Sequence, residues 1–389
     1  MGKFNFDECI CRRNTYSAKW CKDGFTKEIF QGNLPEDRIC LHVADMDFKC
    51  PPEVVKAMHE IASQEIYGYC CIPNEYYDAV INWYDRRMNW KINKEDIFYE
   101  PGTHTAIAKC IRLFSKENEG VIVLSPSYSY HGDVEKYNRK YIKVEMINNN
   151  GYYTIEYCAL DKACEDKNNT IMIICNPHNP TGRVFNVEEL TNIANICKKH
   201  NVLMISDEVH SDLIRKGVKF TPFMEVAGSE NVIVTTAVNK TFNLAGLQMT
   251  NMIIKDEKLK QAFKDDYTSP TPFGIAAVIA AYNKSEDWVD ELNTYLDEAI
   301  DEAISFINKN ISKCKVHRPE GSYILWLDFS EYNLSDKEIR DRIYNKAKVV
   351  AQGGTNYDEN KKEQFQRLCV ANPKAQIIEA LTRIKDQFN

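Results

Sequence analysis

Residues 170–182 read Thr170-Ile171-Met172-Ile173-Ile174-Cys175-Asn176-Pro177-His178-Asn179-Pro180-Thr181-Gly182. A short apolar run stops abruptly in a polar turn built from two prolines and a glycine. Such a run, bounded by turn residues, predicts a strand buried on both faces of a parallel sheet. The polar residues that follow it then lie at the strand's C-terminal end, where open α/β sheets gather their ligands.

Working outward, the same pattern recurs three times. Val121–Leu124 is followed by Ser125-Pro126-Ser127-Tyr128. Val202–Ile205 is followed by Ser206-Asp207-Glu208-Val209-His210, and Val232–Val234 precedes Asn239-Lys240-Thr241-Phe242-Asn243. Between two of these runs, Val187, Leu190, Ile193, Ala194 and Cys197 follow helical spacing across Asn186–His200. Asn186, with Glu189 three residues on, predicts a capping box at the start of that helix. The unit is β-α-β, with a right-handed crossover expected.

The last hundred residues differ. A polar amphipathic stretch runs from Ser285 to about Ser312, followed by a strand-like run, Tyr323–Phe329. A charged helical stretch covers Ser335–Ala347, a second strand-like piece Phe365–Val370, and a final helix Lys374–Phe388. The expected fold is α/β: a large domain around a mostly parallel sheet and a small α+β domain. The expected division is an N-terminal arm that is also part of the small domain (1–49), a large domain (50–285) and a small C-terminal domain (286–389).

Composition narrows the function classes. The 389 residues carry a net charge of 49 − 56 = −7. No basic excess serves a phosphate backbone, so nucleic acid is not an expected partner. The longest apolar run, Ile275–Tyr282, is too short to span a bilayer, so no membrane association is expected either. The N-terminus lacks the apolar segment of a signal peptide. The 14 cysteines include no C-x-x-C pair and are read as packing residues of a reduced, cytoplasmic protein.

One lysine, one carboxylate, one asparagine and one aromatic at the mouth of a single sheet form a specific chemical set. Pyridoxal 5′-phosphate uses all four. A lysine bonds its aldehyde and moves the Cα proton. An aspartate keeps the ring nitrogen protonated, so that the ring accepts carbanion electrons. An asparagine bonds the ring 3-oxygen, and an aromatic stacks on the ring face. Its phosphate suits a helix N-terminus such as Gly102-Thr103-His104, which opens a helical stretch.

The order Asn-Pro-x-Asn-Pro-Thr-Gly, then Ser-Asp-Glu-x-His, then Asn-Lys-Thr-Phe-Asn-Leu-Ala-Gly resembles the fold-type-I enzymes of aminotransferase class I/II. With Ala44-Asp45-Met46-Asp47-Phe48, Tyr67-Gly68-Tyr69 and Tyr323–Phe329, the chain is similar to the MalY/PatB subgroup of cystathionine β-lyase-like C–S lyases. The resemblance runs from about residue 15 to the C-terminus. It implies that Lys240 bonds the cofactor, Asp207 faces the ring nitrogen, and Asn179 and His210 lie near the 3-oxygen. It implies that Tyr128 stacks on the ring and that Thr103 and His104 give backbone N–H groups to the phosphate. Tyr69 matches the tyrosine that such homodimers lend to the neighbour's site, and Arg367 the arginine that grips the substrate α-carboxylate. Asp45 and Asp47 are expected to brace the turn they occupy.

Departures from the family pattern lie at Gln248, where a phosphate-binding arginine is common, and at Asn239 and Ala237, where hydroxyl residues are usual. The phosphate grip then leans on Thr235 or Thr236, backbone amides and Tyr69. The stretch from Gln352 to Glu363 is longer and more charged than in relatives and lacks their aromatic directly after the glycine. The implied activity is α,β-elimination of cystathionine or another cysteine S-conjugate, with Lys240, Asp207 and Tyr69 as catalytic residues. An aminotransferase using the same residues is the alternative. A regulatory protein retaining the cofactor fold is a further one. No metal is expected, since Asp207-Glu208-x-His210 has no supporting His motif.

Overall fold

The computed structural model describes residues 2–21, 34–263, 268–358 and 364–388. Its centre is a seven-stranded sheet of β1 (Ile97–Pro101), β2 (Gly120–Ser125), β3 (Lys140–Glu145), β4 (Asn169–Cys175), β5 (Leu203–Asp207), β6 (Val232–Ala237) and β7 (Met249–Ile254). Their order is β1-β7-β6-β5-β4-β2-β3. All pairings are parallel except the two made by β7, which runs against β1 and β6.

The four apolar runs fall on β2, β4, β5 and β6, and their lack of alternation has a direct cause. Ile122, Leu124, Met172, Ile174, Met204, Val232 and Val234 face one buried cluster. Val121, Val123, Ile171, Ile173, Leu203, Ile205 and Ile233 face a second on the opposite side. Both faces are covered, as parallel sheets require. The sheet also contains β1, β3 and β7, which the apolar runs did not reveal. Lys140–Glu145 is mostly solvent-facing at the sheet edge, with only Val144 buried, so it carries no apolar run.

Among the covering helices are α1 (Thr103–Phe114), α2 (Val187–His200), α3 (Pro272–Lys284) and α4 (Glu286–Asn310). The expected capping box of α2 is present: Glu189 N donates to Asn186 Oδ1 and Asn186 N to Glu189 Oε2, both at 2.9 Å. The apolar run Ile275–Tyr282 is the buried centre of α3, not a membrane segment. Among the described residues no helix is long and apolar enough to cross a membrane.

A second, four-stranded sheet consists of β8 (Lys315–Val316), β9 (Ile324–Asp328), β10 (Gln352–Gly353) and β11 (Phe365–Cys369), in the order β8-β9-β11-β10. The single helix expected over Ser335–Ala347 is instead a short α-turn, Asp336–Arg340, continued by a wider π-turn, Asp341–Lys346. The final helix, α5, ends at Lys385, three residues before Phe388. Ile39–Cys40 pairs in parallel with Val349–Val350, so the chain's early segment joins the second sheet's surroundings.

The N-terminal segment is fixed by buried charge. Asp47 accepts bonds from Arg12 Nη1 (2.5 Å), Trp20 Nε1 (2.9 Å) and Asn372 Nδ2 (2.6 Å), and pairs with Lys19 Nζ at 3.2 Å. Asp45 pairs with the same Arg12 and Lys19. Removing one member of such a cluster strands the others, Lys19 above all, which is fully buried. Asp47→Asn is expected to lower stability by about 3 kcal/mol in urea unfolding. A change within ~0.5 kcal/mol, as at an exposed pair, would contradict it.

Candidate active site

Parallel register brings the polar strand ends into line. Cys175 at the end of β4 pairs with Asp207 at the end of β5, and Asp207 with Thr235 on β6. A cavity of about 150 Å³ opens over these ends. Its lining includes Thr103, His104, Tyr128, Asn179, Asp207, His210 and Lys240. Seven of the residues expected from the sequence thus meet in one place, drawn from five separate segments.

Asp207 is buried, and burial pushes its carboxyl above the ordinary carboxylate value. Tyr130 Oη donates to its Oδ2 at 2.7 Å. Its other oxygen has a long contact, 3.4 Å, from Val209 N. Tyr130 escaped the sequence analysis, although Tyr128 and Tyr130, two residues apart, both reach the cavity. Lys240 Nζ donates to the Ala44 carbonyl at 2.7 Å. Burial, helped by the Arg367 charge, pulls Lys240 below the ordinary lysine value. The Ala44 carbonyl also accepts from Tyr323 Oη at 3.0 Å. Being a backbone group, it carries no side-chain signal in the sequence.

His210 is buried and its Nδ1 lies 3.1 Å from Ser322 Oγ. Burial holds the imidazole well below its ordinary value, hence neutral. Asp207, Glu208 and His210 turn to different partners, and among the described residues no cluster fit for a metal ion is present. At the start of α1, Gly102 takes a φ of 99°, which suits glycine, and the helix's first N–H groups lack intrahelical partners. The His104 ring is bound elsewhere: Nδ1 to Asp133 Oδ2 at 2.5 Å and Nε2 to Tyr128 Oη at 3.1 Å. The Asp133 bond raises its pKa.

A second cavity of about 550 Å³ adjoins the first, sharing Ala44, Tyr128 and Lys240. Arg367 lines it and is buried. Its Nη1 donates to Asn179 Oδ1 at 3.2 Å and its Nη2 to the His42 carbonyl at 2.5 Å. Among the described residues its Nε has no hydrogen-bond partner. The aromatic missing directly after the glycine is supplied three residues on. Tyr357 is buried, its ring 5.3 Å from the Arg367 guanidinium. Residues 359–363 of that unusual stretch lie outside the described residues.

Two expected residues do not reach the cavities. Thr236 is buried and directs its hydroxyl to the Asn251 carbonyl at 3.4 Å. Tyr69 is fully exposed. The cysteines also depart from a uniform packing role. Seven are buried, but Cys9, Cys11, Cys71 and Cys158 are exposed. Cys175 lines the cofactor-sized cavity, with burial pushing its thiol up to about 12.

Pyridoxal 5′-phosphate fits these residues. A buried carboxylate with no bonded cation among the described residues, a half-buried lysine lining the same cavity and a helix N-terminus at its rim match the ring nitrogen, the aldehyde and the phosphate. Fold and site together define a fold-type-I enzyme dependent on that cofactor. The chain belongs to the aminotransferase class I and II family, whose profile matches residues 36–384. Cystathionine beta-lyase PatB of Bacillus subtilis (strain 168) is 36% identical over 389 residues, covering 98% of this chain and 99% of that one. The pyridoxal phosphate-bound C–S lyase of Staphylococcus hominis, complexed with the inhibitor L-cycloserine, is similar with a TM-score of 0.93 at 29% identity, over 100% of this chain and 98% of that one. Cystalysin of Treponema denticola, whose structure contains pyridoxal 5′-phosphate, is similar with a TM-score of 0.92 at 31% identity, over 99% and 98%.

Beside Asp207, Glu208 supports the strand end. Its Oε1 accepts from Ser206 Oγ and from Phe223 N, both at 2.8 Å. Burial raises its carboxyl from 4.5 to about 8. The folded pKa lies above the unfolded one, so the folded chain holds an extra proton between these values. That contribution to stability is complete below 4.5 and is lost as pH rises through 8. Glu208→Gln, which stays neutral, removes it. The urea midpoint of the native protein should therefore fall relative to that of the variant across pH 4.5–8. Parallel curves would contradict a protonated Glu208.

Proposed function

We propose that the protein is a C–S β-lyase that eliminates the thiol from cystathionine or a related cysteine S-conjugate. The observation that carries this is Arg367, a buried guanidinium held by Asn179 and lining a cavity that Lys240 also lines. A substrate α-carboxylate held by Arg367 would bring its Cα toward Lys240, which lines the same cavity. The likeness to PatB, at 36% identity over almost the whole chain, supports the same reading.

When bound, the cofactor supplies a sink for the electron pair left on Cα. The chain's own residues do the rest. Arg367 grips the α-carboxylate and fixes the substrate's orientation. Lys240 would hold the cofactor through its aldehyde carbon and would take the Cα proton of the bound substrate. Its burial favours the neutral form that a base requires. Asp207, oriented by Tyr130, would hold the proton on the ring nitrogen. Asn179 and His210 would serve the 3-oxygen, and Tyr128 would cover the ring face. Thr103 and His104, at the start of α1, would offer backbone N–H groups to the phosphate. The Cβ–S bond then breaks, and the thiolate takes a proton from Lys240 or from Tyr69. The remaining three-carbon fragment hydrolyses to pyruvate and ammonia. Tyr69, exposed in a single chain, serves the neighbour's site in a homodimer.

Holoenzyme incubated with L-cystathionine should release pyruvate and homocysteine with no 2-oxo acid added. Amino transfer that depends on an added 2-oxo acid would establish an aminotransferase instead. Arg367→Gln should lower kcat/KM by about tenfold to a hundredfold, the worth of a charge-assisted hydrogen bond.

A further inference from the structure

The larger cavity extends beyond what an α-carboxylate needs. Besides Arg367, its lining includes His42, Arg340, Tyr344, Gln352 and Asn356. His42 is 6% exposed, and among the described residues neither ring nitrogen has a hydrogen-bond partner. Buried polar groups left unpaired are costly, and each one calls for an explanation. Burial, with the charges of Lys19, Arg367 and Arg38, pushes this imidazole down to about 3, so it is neutral and offers one N–H donor.

Arg340 is held in place before any ligand arrives. Its Nη2 donates to Thr355 Oγ1 at 2.8 Å, and its Nε lies 2.9 Å from Asp336 Oδ2. Gly353 leaves room for it: a Cβ there would stand 2.8 Å from Nη2. Gly353 follows Gln352, which pairs across β10 and β11 with Arg367. Two arginines thus line one cavity, and the orphaned imidazole lies on the chain segment whose carbonyl binds the first of them.

We propose that His42 and Arg340 form a distal subsite that binds the far end of the S-substituent and selects substituents ending in a carboxylate. The inference rests on the C–S lyase reading and adds a substrate class to it. Arg367 takes the α-carboxylate. Arg340 and the His42 N–H take the second carboxylate, carried on the departing thiol.

The test compares S-(2-carboxyethyl)-L-cysteine with S-propyl-L-cysteine, which match in length, on the holoenzyme. The native enzyme should favour the carboxylated conjugate in kcat/KM by about tenfold or more, the size of one charge-assisted hydrogen bond. Arg340→Gln should bring that ratio near one, and His42→Phe should lower it severalfold. Asp336→Asn separates recognition from bracing. It breaks the same ion pair but frees the guanidinium, so the ratio should rise. A native ratio near one, a ratio unmoved by Arg340→Gln, or a fall in both Arg340→Gln and Asp336→Asn would overturn the subsite. Should neither conjugate yield pyruvate, the lyase reading fails. The subsite is then judged on the dissociation constants of the two conjugates by calorimetry. An approximately tenfold preference abolished by Arg340→Gln supports it, and equal constants overturn it.

Discussion

A guanidinium buried to the degree of Arg367 cannot stand without partners, and the partners come from three distant parts of the chain. Asn179 reaches it from the turn after β4, the His42 carbonyl from the early segment, and the Tyr357 ring from the stretch before β11. Satisfying one cation therefore closes the large sheet, the small sheet and the N-terminal segment around a common cleft. Lys240 repeats the logic on the other side, since its ammonium is met by the carbonyl of Ala44, two residues after His42. The segment 42–47 is the hinge of the arrangement. Asp45 and Asp47 anchor it through Arg12 and Lys19, which explains why so much buried charge is spent on a stretch with almost no regular structure.

The electrostatics of the cleft follow from what surrounds each group. Burial works against charge on Asp207, Lys240 and His210 alike. Asp207 is restrained by Tyr130 and has no bonded cation among the described residues. Lys240 is eased toward neutrality, the state in which an amine attacks an aldehyde or accepts a proton. His210 remains neutral beside Ser322 and contributes hydrogen bonds rather than charge.

Much of this was legible in the sequence because buried parallel strands write continuous apolar runs. The polar residues that end them, Asn179, Asp207 and Lys240, then appear in the order in which the sheet presents them. The edge strand Lys140–Glu145 was invisible for the converse reason: one exposed edge removes the apolar run. Tyr130 and the Ala44 carbonyl were missed because their parts depend on tertiary placement, which neither pattern nor residue type records. His42 gave no signal either. Its neighbours in the chain are apolar, and only the fold shows an imidazole with both nitrogens unpaired. Cys71 and the other exposed cysteines show the limit of composition, which cannot separate a buried thiol from a surface one.

The central claim is that Lys240, facing Asp207 across one cavity, is the residue that bonds pyridoxal 5′-phosphate. Borohydride reduction of the holoenzyme, followed by peptide mass mapping, tests it directly. The cofactor's mass should be found on Lys240 alone and should be absent from the Lys240→Ala protein. A reduced adduct on another lysine, with Lys240 unmodified, would contradict the account.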